Sequence, residues 1–394
     1  MKFLILNTDY PEFLRWLYAQ HPGLEKQPYE EQMRVRVESL FGVADFYSSN
    51  LRKLGHEAWD IHANNEFMQK AWACEHGIRV EDQTPAEQRV RAFLFRARRI
   101  AARTSLRYLK PLFQPVLRSL DSHESWFYDV LAAQIKSYKP DILLNQAMDG
   151  ISARFLREMK PYVGLLVGQI AAPLPEGENY SCYDLVISSL NSFVEHFQRQ
   201  GIPGKLNRLG FEPKVLDALD KISDTDIAVS FIGGLSRAHE ERIRLLEYLC
   251  QRYKIQVWGN GIESLPNSSP ICCHYEGQAW GRSMYQVLRR SKITLNCHGR
   301  WAGPYANNCR LYEATGVGTL LITDWKVNLH ELFEPGKEIV AYRTAEECAE
   351  LIKYYLKHDE ERKAIARAGQ QRTLREHTYF QRIQELVEIV QKYL

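Results

Sequence analysis

The segment NNCRLYEATGVGTLLITD, residues 307–324, decides the fold. Its end, Thr319-Leu320-Leu321-Ile322, is a short run of apolar and β-branched residues, the pattern of a strand buried on both faces. Ahead of it, residues 308–316 predict a short helix that stops at Gly316 and Gly318. A helix feeding a strand with no polar face is the repeating unit of a parallel sheet covered on both sides.

Outward from this unit the same alternation continues. Ala228-Val229-Ser230-Phe231-Ile232, Ile255-Gln256-Val257-Trp258 and Ile293-Thr294-Leu295-Asn296 read as strands, with helices predicted over 238–252 and 281–290. Helical segments over 345–356, 359–369 and 378–393 follow. In the N-terminal half the strands are Phe3-Leu4-Ile5-Leu6, Ala58-Trp59-Asp60-Ile61, Asp141-Ile142-Leu143-Leu144, Gly164-Leu165-Leu166-Val167 and Asp184-Leu185-Val186-Ile187. One helix is predicted over 31–54, ended by Gly55. Two successive strand–helix series predict an α/β protein of two doubly wound domains. The first spans 1–217 with a helical insertion over about 65–135, the second 218–375, and a last helix, 376–394, packs back on the first. The polar stretch 218–224 is the candidate linker.

Bulk properties agree. At 394 residues the chain exceeds what one core sustains. Hydrophobic residues make up 45% and charged residues 25%, as in an ordinary globular protein. A net charge of +3 argues against nucleic acid as a partner. No apolar run approaches the length of a membrane span. MKFLILNTDYPEF reads as a first core strand instead of a signal peptide, so a cytoplasmic location is expected. Eight scattered cysteines then read as free thiols. Cys272-Cys273-His274 with Cys297-His298 lacks the ligand spacing of a zinc site, so no metal is expected. Residues 88–120 hold no acid, and Arg89 to Lys110 reads as a basic amphipathic helix. It is either a solvated basic face or a peripheral contact with anionic lipid.

Two constellations suit a phosphorylated ligand. Phe231-Ile232-Gly233-Gly234-Leu235-Ser236-Arg237-Ala238-His239 runs from a strand through two glycines to a helix that carries Arg242. Glycines let backbone approach an anion, and a helix N-terminus offers free N–H groups. Arg237, His239 and Arg242 are the candidate cations. The segment lacks both G-x-G-x-x-G spacing and a Walker GK[ST], and an ordinary tight turn would look the same. In the second, the 308–316 helix presents Asn308, Arg310 and Glu313. A carboxylate there accepts two hydrogen bonds from a vicinal diol such as a ribose, the alternative being a solvated helix carboxylate.

Asn308-x-Arg310-x-x-Glu313-Ala314-x-Gly316 continues into Leu320-Leu321-Ile322-Thr323-Asp324 and Asn328-Leu329-x-Glu331-Leu332-Phe333-x-x-Gly336-Lys337-Glu338. A helical pair follows, ending Ala368-Gly369-Gln370-x-Arg372-Thr373-x-x-x-His377-Thr378-Tyr379. This ordered run, within 228–385, resembles the donor-binding domain of group 1 (GT4-like) glycosyltransferases of the CgeB-like subgroup. The N-terminal half is similar only in architecture and in pieces such as Asp45-Phe46-Tyr47 and Gly168-Gln169-Ile170-Ala171.

The resemblance implies a GT-B fold, with a nucleotide-sugar donor on the C-terminal domain and a carbohydrate or glycoconjugate acceptor on the N-terminal one. It implies no cofactor and no metal. Glu313 corresponds to the ribose-binding glutamate, Gly233 and Gly234 to the diphosphate loop, and Trp258, Gly259, Asn260 and Gly277 to the surroundings of the base. Thr315 and Gly316 fall within the donor motif. Many members carry a second glutamate eight residues earlier, where this chain has Tyr305. His298, Asn308 and Arg310 are the polar groups expected near that place, and the sugar and stereochemistry stay open. An inverting reaction needs a base, for which Asp149 and Asp9 follow strands, although both also suit helix capping. The expectation is a hexosyltransferase of surface polysaccharide or glycoconjugate synthesis. The rivals are a nucleotide-sugar epimerase and a non-catalytic carbohydrate- or partner-binding protein.

Overall fold

The computed structural model describes residues 1–80, 125–174, 178–220, 225–236 and 239–394. It contains two six-stranded parallel sheets. The first consists of β1 (Lys2–Asn7), β2 (Glu57–His62), β3 (Ile142–Asn145), β4 (Leu165–Gln169), β5 (Leu185–Ser188) and β6 (Gly204–Leu206) in the order β2-β1-β3-β4-β5-β6. The second consists of β7 (Ile227–Ile232), β8 (Gln256–Trp258), β9 (Tyr275–Gly277), β10 (Ser291–Asn296), β11 (Leu320–Asp324) and β12 (Val340–Tyr342) in the order β12-β11-β10-β7-β8-β9. Phe3, Leu4, Ile5 and Leu6 of β1 are fully buried, as a strand covered on both faces requires. The doubly wound α/β class expected from the sequence is the observed one.

Two readings change. The helix expected over 31–54 is two, Tyr29–Glu38 and Phe46–Lys53. Between them Leu40, Gly42 and Ala44 take positive φ values of 59°, 61° and 42°. That turn drops Phe41 onto Phe13, with ring centroids 3.9 Å apart, a tertiary contact that overrides helical periodicity. The edge strands β6, β9 and β12 were not legible, being three residues each. Of the expected insertion, the helices Glu66–Glu75 and Ser125–Tyr138 are described. The basic stretch Arg89–Lys110 lies outside the described residues. No described helix is long and apolar enough to cross a membrane.

The last helix, Tyr379–Val390, opens with a capping box between Thr378 and Gln381 and returns to the first domain. Tyr379 packs on Phe46 and Tyr47 at 5.3 and 5.7 Å. Its amide donates to the Phe211 carbonyl (2.9 Å), and the Phe211 amide donates to the His377 carbonyl (2.8 Å). Asn50 donates to Glu212 (2.6 Å), and Lys214 pairs with Asp45. One continuous core therefore runs from Phe3 and Ile5 through Phe211 to Leu311 and Tyr379. Across the other contact, Trp280 meets Phe41 edge-on (5.2 Å), and the Arg282 amide donates to the Ser39 carbonyl (2.7 Å).

Gly316 sits against this seam. A Cβ there would lie 2.4 Å from the Phe211 ring. Gly316→Ala should lower the unfolding free energy by about 1–3 kcal/mol in urea titrations, the usual cost of overpacking a filled core. An unchanged midpoint would show that Phe211 moves aside freely.

Candidate functional site

Each sheet reverses its winding once. In the first, β2 and β3 flank β1; in the second, β8 and β10 flank β7. Ligands of open α/β sheets bind at such switch points, outside the strand carboxyl ends. Asp9 and Tyr10 follow β1, Gln146 to Asp149 follow β3, Gly233 and Gly234 follow β7, and Cys297 and His298 follow β10. A cavity of about 380 Å³ lies between the loops after β1 and β7. Tyr10 and Phe41 form its N-terminal-domain wall; Gly233, Gly234, Ser236, His239, Gly259, Asn260, Gln278, Trp280 and Arg310 form the rest. A larger cavity of about 610 Å³, beside Arg244, Asp324, Trp325 and Arg343, is lined by the second domain alone. The smaller one is the better candidate because residues of both domains line it, among them Tyr10 after β1 and the Gly233-Gly234 turn after β7.

The glycine turn is held from three sides. The Gly233 amide donates to the Trp258 carbonyl (3.0 Å), the Leu235 amide to Asn260 (2.8 Å), and the Gly259 amide to Gly277 (3.0 Å). Gly259 has φ +157°, and a Cβ on it would lie 1.8 Å from the Gly233 oxygen, so only glycine fits. Trp258 and Gly277 thus serve through their carbonyls. Arg242 donates to the Gly234 carbonyl (3.0 Å) and to the Cys297 carbonyl (2.8 Å). It clamps the loops after β7 and β10, which corrects its expected role as a free cation.

His239 lines the cavity, but burial and then nearby Arg242 push its pKa down to about 4. It is neutral at pH 7, again contrary to the cationic role. Arg237 lies outside the described residues.

Arg310 is the cation that reaches the cavity. Its Nη2 donates to the Ile232 carbonyl (3.3 Å). Its Nη1 pairs with Glu313 Oε2 at 2.9 Å, and its Nε has no hydrogen-bond partner among the described residues. A guanidinium beside a glycine turn suits an oxyanion. Glu313 itself does not line the cavity; it stands behind Arg310 with 14% of its side chain exposed. Burial raises its carboxyl above the usual value, and Arg310 opposes that rise.

The other expected residues divide. Asn308 donates to Asn296 (2.7 Å) and accepts from the Leu311 amide (3.3 Å), fixing the start of the Arg310–Gly316 helix. His298 is buried; its Nδ1 meets Asp324 Oδ1 at 2.6 Å, and its Nε2 has no partner among the described residues. Thr315 and Gly316 turn away from the cavity. The Thr315 hydroxyl bonds the Leu311 carbonyl and Thr373, and Gly316 abuts Phe211. Both hold the helix in place and do not contact the cavity, which corrects their expected place in the donor site.

Asp9 is not available as a base. It is 4% exposed, 2.5 Å from Arg36 Nη2 and 3.1 Å from His62. Although burial works to raise it, Arg36 and His62 hold its carboxyl well below the usual range. It does not cap the next helix either, whose N-cap is Tyr10 without a side-chain bond. Asp149 is exposed in the loop after β3. Sequence reasoning missed Tyr10, Phe41, Gln278 and Trp280. Tyr10, directly after Asp9, was the one with a signal, since it too follows the carboxyl end of β1.

Residues 238–388 match the family described as glycosyl transferase-like. No curated protein matches the chain. The solved structure of a glycosyltransferase from Rickettsia africae superposes with a TM-score of 0.57 at 12% identity, over 100% of this chain and 98% of that one. Anabaena HepE in complex with UDP-glucose does so with a TM-score of 0.57 at 14% identity, over 100% of both. The chain thus carries a glycosyl transferase-like domain on the GT-B architecture.

Two outcomes follow from the glycine turn and His239. Gly259→Ala should abolish nucleoside diphosphate binding in calorimetric titration while leaving the far-ultraviolet spectrum unchanged. Retained binding would mean the turn shifts without consequence. Because the folded pKa of His239 is depressed, its contribution to stability is present above pH 6.5 and lost as pH falls through about 4. Diphosphate affinity should therefore vary little between pH 6 and 8 on account of this residue. A step near pH 6.5 that His239→Asn removes would show the imidazole titrating there.

Proposed function

We propose that the protein transfers a hexose-type sugar from a nucleoside-diphosphate sugar to a carbohydrate hydroxyl, without a metal. The observation that carries the reading is that the Gly233-Gly234 turn and the Arg310 guanidinium line one cavity whose other wall, Tyr10 and Phe41, comes from the first domain. The turn and Arg310 hold the diphosphate, and Asn260 and Gln278 border the nucleoside. Glu313 accepts the ribose diol once Arg310 has turned to phosphate. In the reaction the bond from the sugar's C1 to the diphosphate oxygen breaks, and a bond from C1 to the acceptor oxygen forms. The acceptor's proton passes to a base, and the diphosphate leaves with the electron pair of the broken bond. Fixed donors that meet this growing charge in a water-poor cavity are the main source of rate. Asp149, exposed on the acceptor side, is the proposed base if configuration inverts. The UDP-glucose held by the Anabaena protein of the same architecture supports a nucleotide-sugar donor. A place in surface polysaccharide or glycoconjugate synthesis belongs to the same reading.

The test is a thermal-shift and turnover panel with UDP, GDP, dTDP and their sugars. The right nucleotide at a hundredfold excess over its Kd should stabilise the fold by about 2.7 kcal/mol. Arg310→Met and Glu313→Ala should each lose most of that shift, and a chelator should leave turnover unchanged. A donor epimerised without acceptor would replace the transferase reading by an epimerase. Binding without turnover would leave a carbohydrate-binding protein.

A further inference from the structure

Tyr10 is 60% exposed, the most exposed aromatic residue among those described. Single exposed apolar residues are common and need no explanation. Tyr10 differs in its setting. It lies where β1 ends, and its carbonyl accepts from the Leu14 amide (3.0 Å), which fixes its backbone. Behind it, Phe41 and Trp280 stand at 5.8 and 6.3 Å, and Phe13 stacks on Phe41 at 3.9 Å. The rest of the ring borders the cavity opposite Gly233, Gly234 and Arg310. Aromatic residues of both domains therefore hold an open ring rigidly against the site.

Cys309 directly precedes the helix that carries Arg310 and Glu313, and Asp149 is exposed in the loop after β3.

We propose that Tyr10 is a substrate-contacting residue whose ring packs against the C–H face of the transferred sugar, with its hydroxyl meeting that sugar's hydroxyls. An apolar ring face beside a few convergent polar groups is the chemistry that recognises a pyranose. A rigid tyrosine supplies that contact at low entropic cost. The proposal rests on the transferase reading and adds to it the residue that grips the moving group.

The test compares wild type with Tyr10→Ala, Tyr10→Phe and, as a control, Tyr162→Ala, which removes another exposed tyrosine far along the chain. Thermal shift is read with UDP, GDP and dTDP alone, and turnover with UDP-glucose, GDP-mannose and dTDP-glucose, including hydrolysis without acceptor. Tyr10→Ala should keep the nucleotide shift and lose at least about tenfold in kcat/KM, roughly the effect of one good contact. Tyr10→Phe should fall between, and Tyr162→Ala should match wild type. Wild-type kcat/KM in Tyr10→Ala overturns the proposal alone. Loss of the nucleotide shift in Tyr10→Ala overturns it in favour of a base platform. A wild type that neither binds nor turns over any member of the panel removes the transferase reading, and this proposal with it.

Discussion

The hydrogen bonds from Arg242 to the Gly234 and Cys297 carbonyls are the constraint on which the site depends. They join the loops after β7 and β10, the two strands between which the second sheet reverses. Burial disfavours the charged guanidinium and lowers its pKa, so the carbonyls must compensate for lost water. Bonds to a charged donor contribute about 1.5–3 kcal/mol each and add to the burial of Leu235 and Cys297 in holding the two loops. With the loops fixed, Gly259 can lie under Gly233 with no room for a side chain, and the turn faces outward with its shape set in advance.

The second domain alone does not close the cavity. Its far wall comes from Tyr10 and Phe41, placed by the packing of Trp280 on Phe41 and by the Ser39–Arg282 backbone bond. Gly281 permits that bond. Its φ is +50°, and a Cβ would lie 2.0 Å from the Ser39 oxygen. At the opposite seam, the Phe211–Tyr379 bridge ties the last helix to the first domain. Cores in contact transmit displacement because they are close-packed. The position of Tyr10 relative to Arg310 is therefore a property of the whole two-domain unit.

What the sequence made legible follows from range. Strands such as Phe3–Leu6 and Leu320–Ile322 could be read because burial on both faces writes an unbroken apolar run. The glycine turn and the Arg310–Glu313 helix could be read because their residues are local neighbours. The role of Arg242 could not, since its partner Cys297 lies 55 positions away and offers only a backbone carbonyl, which every residue has. The same holds for Asp9. Its neighbours in sequence suggest a loop acid, while Arg36, which balances its charge, and His62 beside it arrive from other elements. The split of the expected 31–54 helix has this cause too, because Phe41 is drawn from the helical stripe by a cluster built from Phe13 of its own domain and Trp280 of the other.

Charge around the cavity is unevenly distributed among the described residues. His239 is neutral, Arg242 binds two backbone carbonyls, and Arg310 lines the cavity while pairing with Glu313. A cation in a poorly hydrated wall acts on a ligand more strongly than one in water, because the effective dielectric is lower. Arg310 also lies beside Glu313, whose carboxyl burial pushes toward the neutral form. On the proposed reading the two roles are coupled. A diphosphate that draws the guanidinium forward leaves the carboxylate without its cation, and the hydroxyls of a diol then supply the hydrogen bonds that stabilise its charge. Phosphate and ribose would each improve the site for the other. Such coupling selects a whole nucleoside diphosphate over inorganic phosphate or a free nucleoside, with no residue dedicated to the choice.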